Sequence, residues 1–229
     1  MANLSRKQRT KTLNTMPRHL YVFTKKEYLD GLLKEGTIRV GTLAEYRKDD
    51  GTTGAKNDEN EGSAFWQPKG EIQVTPDHPI LKHMIHPASG TFSMEGGAYV
   101  RIPTNHNLLC LAKAISTSMI KRMKKDFGSN SCYRIDNPID FFLDITDAIP
   151  ELEEPISARP VKYVYKRPVA VDHLARDLFI DPYLKPWEYG WQREYRIVWP
   201  TIDPDNVKPY LVNVPSLAGY IKPIDISKI

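Results

Sequence analysis

The segment KPWEYGWQREYRIVW, residues 185–199, holds the densest group of side chains with chemical potential in the chain. Three tryptophans and two tyrosines stand among Gln192, Glu194 and Arg196. Side chains alternate between the two faces of a strand, so a strand that begins at Glu194 places Glu194, Arg196 and Val198 on one face. An acid and a base on one strand face, beside large aromatic rings, can hold an ionised carboxylate in a fixed orientation. An ion pair beside a core cluster is the structural alternative.

Basic residues form three separate groups in a chain whose formal net charge is +4. The first lies within residues 1–20, which contain no acid, and the third lies within 162–167. The second consists of Lys121, Arg122, Lys124 and Lys125 on a segment with a helical pattern. Separate basic patches are typical of proteins that bind a polyanion, most often nucleic acid, through its phosphates. A solvated surface with a basic tail is the alternative.

A polar, glycine-rich loop at 48–62 carries Asp58, Glu59 and Glu61. Carboxylate oxygens are ligands for hard cations, although the spacing is not that of a calcium-binding EF-hand loop. Three uses are open: a metal site, ordering of the loop through an Arg47–Glu61 pair, and a grip on a substrate. The three histidines at 78–86 lack an acid or cysteine that would complete a tetrahedral zinc site, so we expect no metal there.

The segments that must position these residues alternate between strand and helix patterns. HLYVF at 19–23 predicts a strand, and 25–36 predicts a helix with Thr24 as its N-cap and Gly36 at its end. A second helix is predicted to begin after Asn137 as N-cap. Other strand-like segments are TIRVG, SAFWQ, EIQV, AYVRI, NLLCLA, SCYRI, VKYVY, EYRIVW and YLVNV. This order predicts an α+β fold with a mainly antiparallel mixed sheet and a few flanking helices.

The 229 residues suffice for one large domain with a buried core. Residues 1–17 read as a flexible basic arm, and residues 18–229 are predicted to form a single domain. Residues 150–160 form an acidic segment bounded by prolines, which predicts a linker.

Composition also narrows the class of protein. No apolar run approaches the roughly 18–20 residues that span a bilayer, so we expect no membrane partner. The N-terminus lacks the apolar core of a secretory signal, which favours a cytoplasmic location. Cys110 and Cys132 are too few for a disulfide framework and lie in apolar segments, so we expect both in the core.

Gln192 and Glu194 form a Q-x-E step directly before an apolar strand, which resembles the final motif of ADP-ribosyltransferases. The resemblance implies an ADP-ribosyltransferase-like fold with NAD as substrate. It also implies that Glu194 is the catalytic carboxylate and that Gln192 positions the acceptor. A fixed carboxylate would stabilise the positive charge that develops on the ribose as the bond to nicotinamide breaks.

The N-terminal half extends this resemblance. LYVFT, a helix that ends in Gly36, and TIRVG resemble the opening of the same superfamily, and Ser116-Thr117-Ser118 resembles the S-T-S element of its toxin-like branch. Val22 occupies the position where the superfamily usually has a histidine or arginine that grips NAD. For the cofactor, the resemblance implies the following set: Tyr21, Phe23 and Thr24 on the nicotinamide side, with Arg47 or Arg196 at the pyrophosphate through bidentate hydrogen bonds.

Over most of its length the chain more closely resembles a widespread bacterial and phage family. Its members open with an LY-x-[YF] strand and end in a segment like W-x-x-E-x-E-[YW]-R-I. Leu20–Phe23, Cys110 and the run from Trp187 to Ile197 match that outline, while Gly190 replaces a common acid. This resemblance points to a family rather than to an activity.

Three functional hypotheses follow. The first is an ADP-ribosyltransferase-like enzyme, a glycosyltransferase by class, that modifies nucleic acid (RNA or DNA) or protein as a toxin or antiviral defence effector. Residues 121–125 would then hold the target, and an antitoxin or chaperone would be a partner. The second is a catalytically inactive module of the same fold that binds nucleic acid or protein, which Val22 supports. The third is a metal-dependent nuclease that uses the acids at 58–61.

Overall fold

The computed structural model describes residues 6, 13–47, 63–66, 71–74, 90–93, 100–103, 105–152, 157–164, 182–199, 201 and 206–229. Contacts divide the chain into two compact units. The first consists of Met1–Gly62, Thr104–Tyr165 and Asp181–Ile229, and the second of Ser63–Pro103 and Lys166–Ile180. One domain over residues 18–229 stays a prediction from the sequence.

The described strands and helices follow one another along the chain in an α+β order. The strands are β1 (Leu20–Thr24), β2 (Thr37–Thr42), β3 (Ser63–Trp66), β4 (Glu71–Val74), β5 (Gly90–Ser93), β6 (Val100–Pro103), β7 (Asn107–Ala112), β8 (Ser131–Ile135), β9 (Ser157–Pro160), β10 (Lys162–Val164), β11 (Leu184–Pro186), β12 (Glu194–Trp199), β13 (Tyr210–Asn213) and β14 (Ile221–Ile224). The α-helices are α1 (Lys26–Glu35), α2 (Leu43–Arg47), α3 (Thr117–Phe127) and α4 (Pro138–Ala148). Two 3-10 helices are η1 (Trp187–Gln192) and η2 (Pro215–Tyr220).

An eight-stranded sheet organises the first unit around β7. One edge of β7 pairs antiparallel with β12 along its whole length, and β12 continues to β9. The other edge is shared: β2 pairs with the start of β7 and leads to β13, while β1 pairs with its end and leads to β8 and β14. All these pairs are antiparallel, which confirms the predicted α+β class and its mainly antiparallel sheet. In the second unit, β3 pairs with β6 and β4 with β5.

The shared edge of β7 leaves a gap between β1 and β2. Gly41 and Thr42 of β2 lie opposite the first two residues of β7, and Tyr21 of β1 lies opposite Ala112. The three residues between, Leu109–Leu111, have partners in β12. On the opposite edge no described strand pairs with them.

Opposite faces of the sheet carry different clusters. Tyr195, Ile197 and Trp199 lie in the main apolar cluster with residues of α1 and α4, whereas Val198 packs with Leu43, Leu108 and Tyr183 on the other face. The alternation predicted for β12 is therefore confirmed. Each buried side chain of this size contributes on the order of 1.5–3 kcal/mol to folding.

Helix ends follow the sequence in two cases and depart from it in one. Gly36 ends α1 with a φ of 70°, and a Cβ there would lie 2.0 Å from the Val214 carbonyl oxygen. The Asn137 side chain accepts a hydrogen bond from the Asp140 amide, so the predicted cap of α4 is confirmed. The prediction of Thr24 as N-cap of α1 is wrong: the N-cap is Lys25. Thr24 remains in β1, paired with β8, so its backbone is committed to the sheet.

Parts of two segments predicted to be irregular are instead ordered. Arg6, in the predicted flexible arm, forms ion pairs with Asp140, Asp144 and Asp147 along α4, at 2.8–3.2 Å. Leu13, in the same arm, is fully buried in the main cluster. In the predicted linker, β9 extends the sheet beyond β12, because an acidic, proline-bounded segment can still pair through its backbone. None of the helices in the described ranges has the length and apolar character needed to cross a membrane.

Candidate functional site

A left-handed residue and three hydrogen bonds from the main chain fix the start of β12. Arg193 adopts a left-handed conformation with φ 47°, which ends η1 and turns the chain into the strand. The Arg193 carbonyl accepts a hydrogen bond from the Lys113 amide at 3.0 Å, and the Arg193 amide donates to Gly190 at 3.3 Å. The Glu194 amide then donates to the Tyr163 hydroxyl at 2.8 Å. The position of the Glu194 side chain is thus set by residues before and beside the strand.

The Glu194 carboxylate lies in a buried ion cluster with Lys185 and Arg196. Arg196 Nε donates to Glu194 Oε1 at 2.7 Å, and Lys185 Nζ donates to Oε2 at 3.0 Å. The three residues are 5%, 8% and 1% exposed for Glu194, Lys185 and Arg196. Arg196 also donates to the Pro182 carbonyl oxygen. Both carboxylate oxygens therefore have a charged donor, and the cluster carries one excess positive charge.

The electrostatics of this cluster keep Glu194 ionised. Burial alone would raise the pKa of Glu194, but the charges of Arg196 and Lys185 outweigh it and hold the pKa well below its ordinary value. A carboxylate with a lowered pKa is a poor proton acceptor at neutral pH. The arrangement suits a fixed anion that orients its neighbours rather than a general base.

Two neutral groups complete the surroundings of the carboxylate. Burial raises the pKa of the Cys110 thiol, and the negative charge of Glu194 raises it further. The Cys110 thiol in turn lowers the pKa of Glu194 and raises the pKa of the Tyr46 hydroxyl. The cluster thereby joins α2, β7, β11 and β12 through polar contacts inside the protein.

The register of the sheet brings Tyr21 and Glu194 to the same face. Ala112 of β7 lies opposite Tyr21 of β1 and also opposite Glu194 of β12. Directly opposed residues in antiparallel strands share a face. Neighbouring strands lie about 4.8 Å apart, so Tyr21 and Glu194 are about two strand spacings apart across Ala112.

The other residues that the ADP-ribosyltransferase resemblance names lie in separate surroundings. Phe23 packs with Ile120, Cys132 and Ile226 in a third apolar cluster. Thr24 and Val22 line a cavity on the opposite face of β1 from Tyr21. The predicted nicotinamide-side residues are thus divided between the two faces of one strand.

The remaining predicted residues differ in accessibility. Gln192 is 5% exposed at the end of η1. Arg196 is directed to Glu194 and Pro182, so in this conformation a pyrophosphate has no access to its guanidinium. Arg47 is the last residue of α2, and its side chain lies outside what the structure describes.

The basic residues predicted to bind a target lie together on α3. Ser116 caps this helix by accepting a hydrogen bond from the Met119 amide, and Gly128 ends it with φ 63°. Met119 and Ile120 are buried, which turns the opposite side of the helix to solvent. The exposed or half-exposed cations on α3 are Lys121, Arg122, Lys124 and Lys125.

One aromatic side chain of η1, Trp191, packs against the basic helix α3. The Arg122 guanidinium lies 3.9 Å from the centre of the Trp191 ring, and Phe127 contacts the same ring at 6.2 Å between centroids. Trp187, four residues earlier in η1, is 63% exposed. Here we define the basic–aromatic surface as Lys113, Lys121, Arg122, Lys124, Lys125, Trp187, Trp191 and Arg193.

Sequence reasoning missed Lys185, Tyr163 and Trp191 as parts of these two sites. One signal was available for Lys185: a buried acid needs nearby cations, and Lys185 belongs to the same segment as Glu194. Tyr163 and Trp191 reach their partners across long chain separations, 31 residues to Glu194 and 69 residues to Arg122. The sequence contains no signal for those contacts.

Several candidates lie outside the described residues: the acids Asp58, Glu59 and Glu61, the histidines at 78–86, and the basic pair Lys166 and Arg167. Among the residues that are described, no group of three or more His, Cys, Asp or Glu side chains is arranged to hold a metal ion.

Comparison of the chain with protein-family models, with curated proteins and with solved structures finds no match. A function for the chain therefore has to be argued from its own residues and their geometry.

Proposed function

We propose that this chain binds nucleic acid through the basic–aromatic surface, and that the buried ion cluster around Glu194 supports that surface. The observation that carries the proposal is the stacking of Arg122 on Trp191 at 3.9 Å, which joins a row of cations to a group of aromatic rings. Because η1 runs directly into β12, the anchoring of Glu194 also positions the rings.

Charge is the first argument. The exposed cations of this surface are Lys113, Lys121, Arg122, Lys125 and Arg193, and Lys124 is half-exposed. The acid nearest in the helix is Asp126, which pairs with Arg122 at 3.6 Å. Asp225 also lies close enough to Lys124 for that charge to lower the pKa of Asp225. Clustered cations attract phosphate groups and release counterions when a nucleic acid binds.

The second argument is the exposure of large rings beside those cations. Burying a tryptophan is favourable, so a Trp187 that is 63% exposed has apolar surface available for a partner. Unpaired bases stack on aromatic rings and on arginine planes, whereas bases in a duplex are already stacked. The surface is therefore suited to single-stranded RNA or DNA with little sequence preference.

The location of Glu194 favours this function over catalysis at that residue. Both of its oxygens accept hydrogen bonds from cations inside the protein, and it is 5% exposed. A ribose hydroxyl would have to displace Lys185 or Arg196 to reach it. In this conformation, the buried Glu194 carboxylate is suited to positioning its neighbours.

Binding is tested by titrating a labelled single-stranded RNA across a range of salt concentrations. We expect Lys121→Ala with Lys125→Ala to reduce the slope of log K against log salt by about 1.4, at about 0.7 for each lost phosphate contact. The matched control is Lys26→Ala with Lys34→Ala, which removes two exposed lysines from α1 instead. Equal slopes for the two double variants, or no binding by the unmodified chain, would contradict the proposal.

A second candidate function is ADP-ribosyl transfer from NAD, which the shared face of Tyr21, Ala112 and Glu194 favours. Gln192, two residues before Glu194, keeps the spacing of the Q-x-E step. Its test is incubation with isotope-labelled NAD and RNA, DNA or cell lysate. Label on one fraction that Glu194→Gln abolishes in a folded variant would make transfer the primary function. Without label in any fraction, and without NAD binding by calorimetry, this candidate is excluded.

A further inference from the structure

A cavity of about 390 Å³ lies between α1 and the sheet, at the gap between β1 and β2. One side of α1 forms its roof, through Glu27, Tyr28, Gly31 and Leu32. The strands below contribute residues from β1, β2, β7, β8 and β13. The volume falls within the range of about 300–1,000 Å³ that is usual for small-molecule sites. We call it the α1 cavity.

The floor of the α1 cavity is apolar. Val22, Leu109, Leu111, Tyr133 and Phe141 line it, and all but Val22 and Leu109 are buried. Burial raises the pKa of Tyr133, so this residue is a neutral phenol at physiological pH. The floor therefore favours a ligand whose body is aromatic or aliphatic.

The uncharged polar groups at the cavity include main-chain groups of β7 and threonine hydroxyl groups. Leu109–Leu111 border it at the edge of β7 where no described strand pairs with them, which leaves main-chain amide and carbonyl groups on that side. Thr24 and Thr37 add hydroxyl groups. Main-chain and hydroxyl groups recognise a hydroxyl or an amide through one or two hydrogen bonds.

The charges at the cavity exclude a strongly ionic ligand. Its lining contains one cation, Arg39, and one acid, Glu27. Arg39 already pairs with Glu45, whose other oxygen accepts the Thr42 amide at 2.9 Å. Moving an unpaired charge into such a site would cost several kcal/mol.

The mouth of the cavity has exposed apolar side chains. Tyr28 is 62% exposed and Leu211 is 71% exposed, although both line the cavity. A ligand seated on the floor would cover part of both side chains, and removing their apolar surface from water favours binding. The apolar surface at the mouth therefore contributes to the affinity for such a ligand.

We infer that the α1 cavity binds an uncharged, mainly apolar small molecule with an aromatic or short aliphatic body and one hydroxyl or amide group. The inference is independent of the basic–aromatic surface, because no residue of that surface lines the cavity.

The test uses 2-naphthol as an uncharged probe and 2-naphthalenesulfonate as an anionic probe with the same ring system, with binding to the full chain followed by fluorescence. We expect saturable binding of 2-naphthol and at least about tenfold weaker binding of the sulfonate, since the sulfonate would lack a free cation. Absence of saturable binding of 2-naphthol, or equal affinity for the two probes, would overturn the inference.

Two variants locate the site, and a third is the matched control. Val22→Phe fills the floor, and Tyr28→Ala removes the exposed ring at the mouth without touching the core. Each should weaken 2-naphthol about fivefold or more, because each removes a large part of the apolar contact. Leu33→Ala removes another exposed apolar side chain of α1 that does not line the cavity, and it should change affinity less than about twofold.

The unfolding transition of each variant is recorded alongside the titration. If Val22→Phe alters the fold, Tyr28→Ala still decides the question, because its side chain lies at the surface. Equal affinities for Tyr28→Ala and Leu33→Ala would place the probe elsewhere and contradict the assignment. RNA binding serves as a separate readout that neither variant should change, so a failure here leaves the proposed function intact.

Discussion

The buried ion cluster and the basic–aromatic surface share one stretch of sequence, residues 185–199, yet differ in burial. Trp187 and Arg193 of that stretch are exposed, while Gln192, Glu194 and Arg196 are buried. In the cluster, each charge has a partner within 3.0 Å inside the protein. On the surface, charges and rings face solvent. The same types of residue can therefore form a buried structural cluster or an exposed binding surface, and the burial of their side chains decides which.

The largest expected effect comes from breaking the buried cluster on one side. Arg196→Met leaves the Glu194 carboxylate with fewer donors in a buried place, which should lower the free energy of unfolding by about 3–5 kcal/mol. Arg193→Met, one residue before Glu194 and exposed, should lower it by less than about 1 kcal/mol. Urea unfolding followed by circular dichroism measures both. Similar losses for the two variants would remove the distinction between cluster and surface.

A smaller effect is expected when all three charged residues are replaced together. Lys185→Met, Glu194→Met and Arg196→Met in one chain remove the charges without leaving one unpaired. We expect this triple variant to be more stable than Arg196→Met alone by about 1–3 kcal/mol, because the desolvation cost of the ions disappears with them. A triple variant less stable than the single one would show that the ions contribute net stability.

The contrast between buried and exposed charge also predicts how the stability of the folded chain depends on pH. The pKa of Glu194 is lowered in the folded chain, so the unfolded chain takes up its proton first. The stability from this group is present above the ordinary pKa of 4.5 and is lost as pH falls below it. Glu194→Gln should therefore flatten the decline in stability between about pH 4.5 and 2.5.

Asp136 provides a less buried control for that experiment. Hydrogen bonds from Arg134 and Lys222 lower the pKa of Asp136 to about 2, but the group is only half-buried, so solvent screens its charge more than that of Glu194. Asp136→Asn should change the loss of stability at acidic pH much less than Glu194→Gln does. An equal flattening by the two variants would mean that burial does not set the strength of the Glu194 contacts.

Local features of the fold could be predicted from the sequence. Period-two alternation identified the two faces of β12, and Gly36 and Asn137 marked helix ends because their preferences are local. The prediction of Thr24 as a cap is wrong because the pairing of β1 with β8 extends the strand by one residue, and that pairing is not local. The strand conformation of β9 likewise depends on its pairing with β12, which the local sequence does not determine.

The sequence predicts several residues of the candidate sites but not the contacts that those residues make. Glu194 and Arg196 share a strand face, which alternation reveals, and the cations of α3 are visible as a run. Whether Glu194 faces solvent depends on Lys185, which reaches it through the 3-10 turn of η1. The contact of Arg122 with Trp191 joins distant segments, and the α1 cavity depends on how β7 divides its edge. Such features arise only after the chain has folded.

The most direct test of the account measures two properties, stability and affinity for single-stranded RNA, on two variants. We predict that Trp187→Ala weakens RNA binding by about 1–3 kcal/mol and leaves the free energy of unfolding nearly unchanged, because its ring is exposed. Lys185→Met should lower the free energy of unfolding and, because the cluster positions η1, weaken RNA binding by the folded fraction less than Trp187→Ala does. If Trp187→Ala instead destabilises the chain and leaves RNA affinity unchanged, the division into a supporting cluster and a binding surface is contradicted.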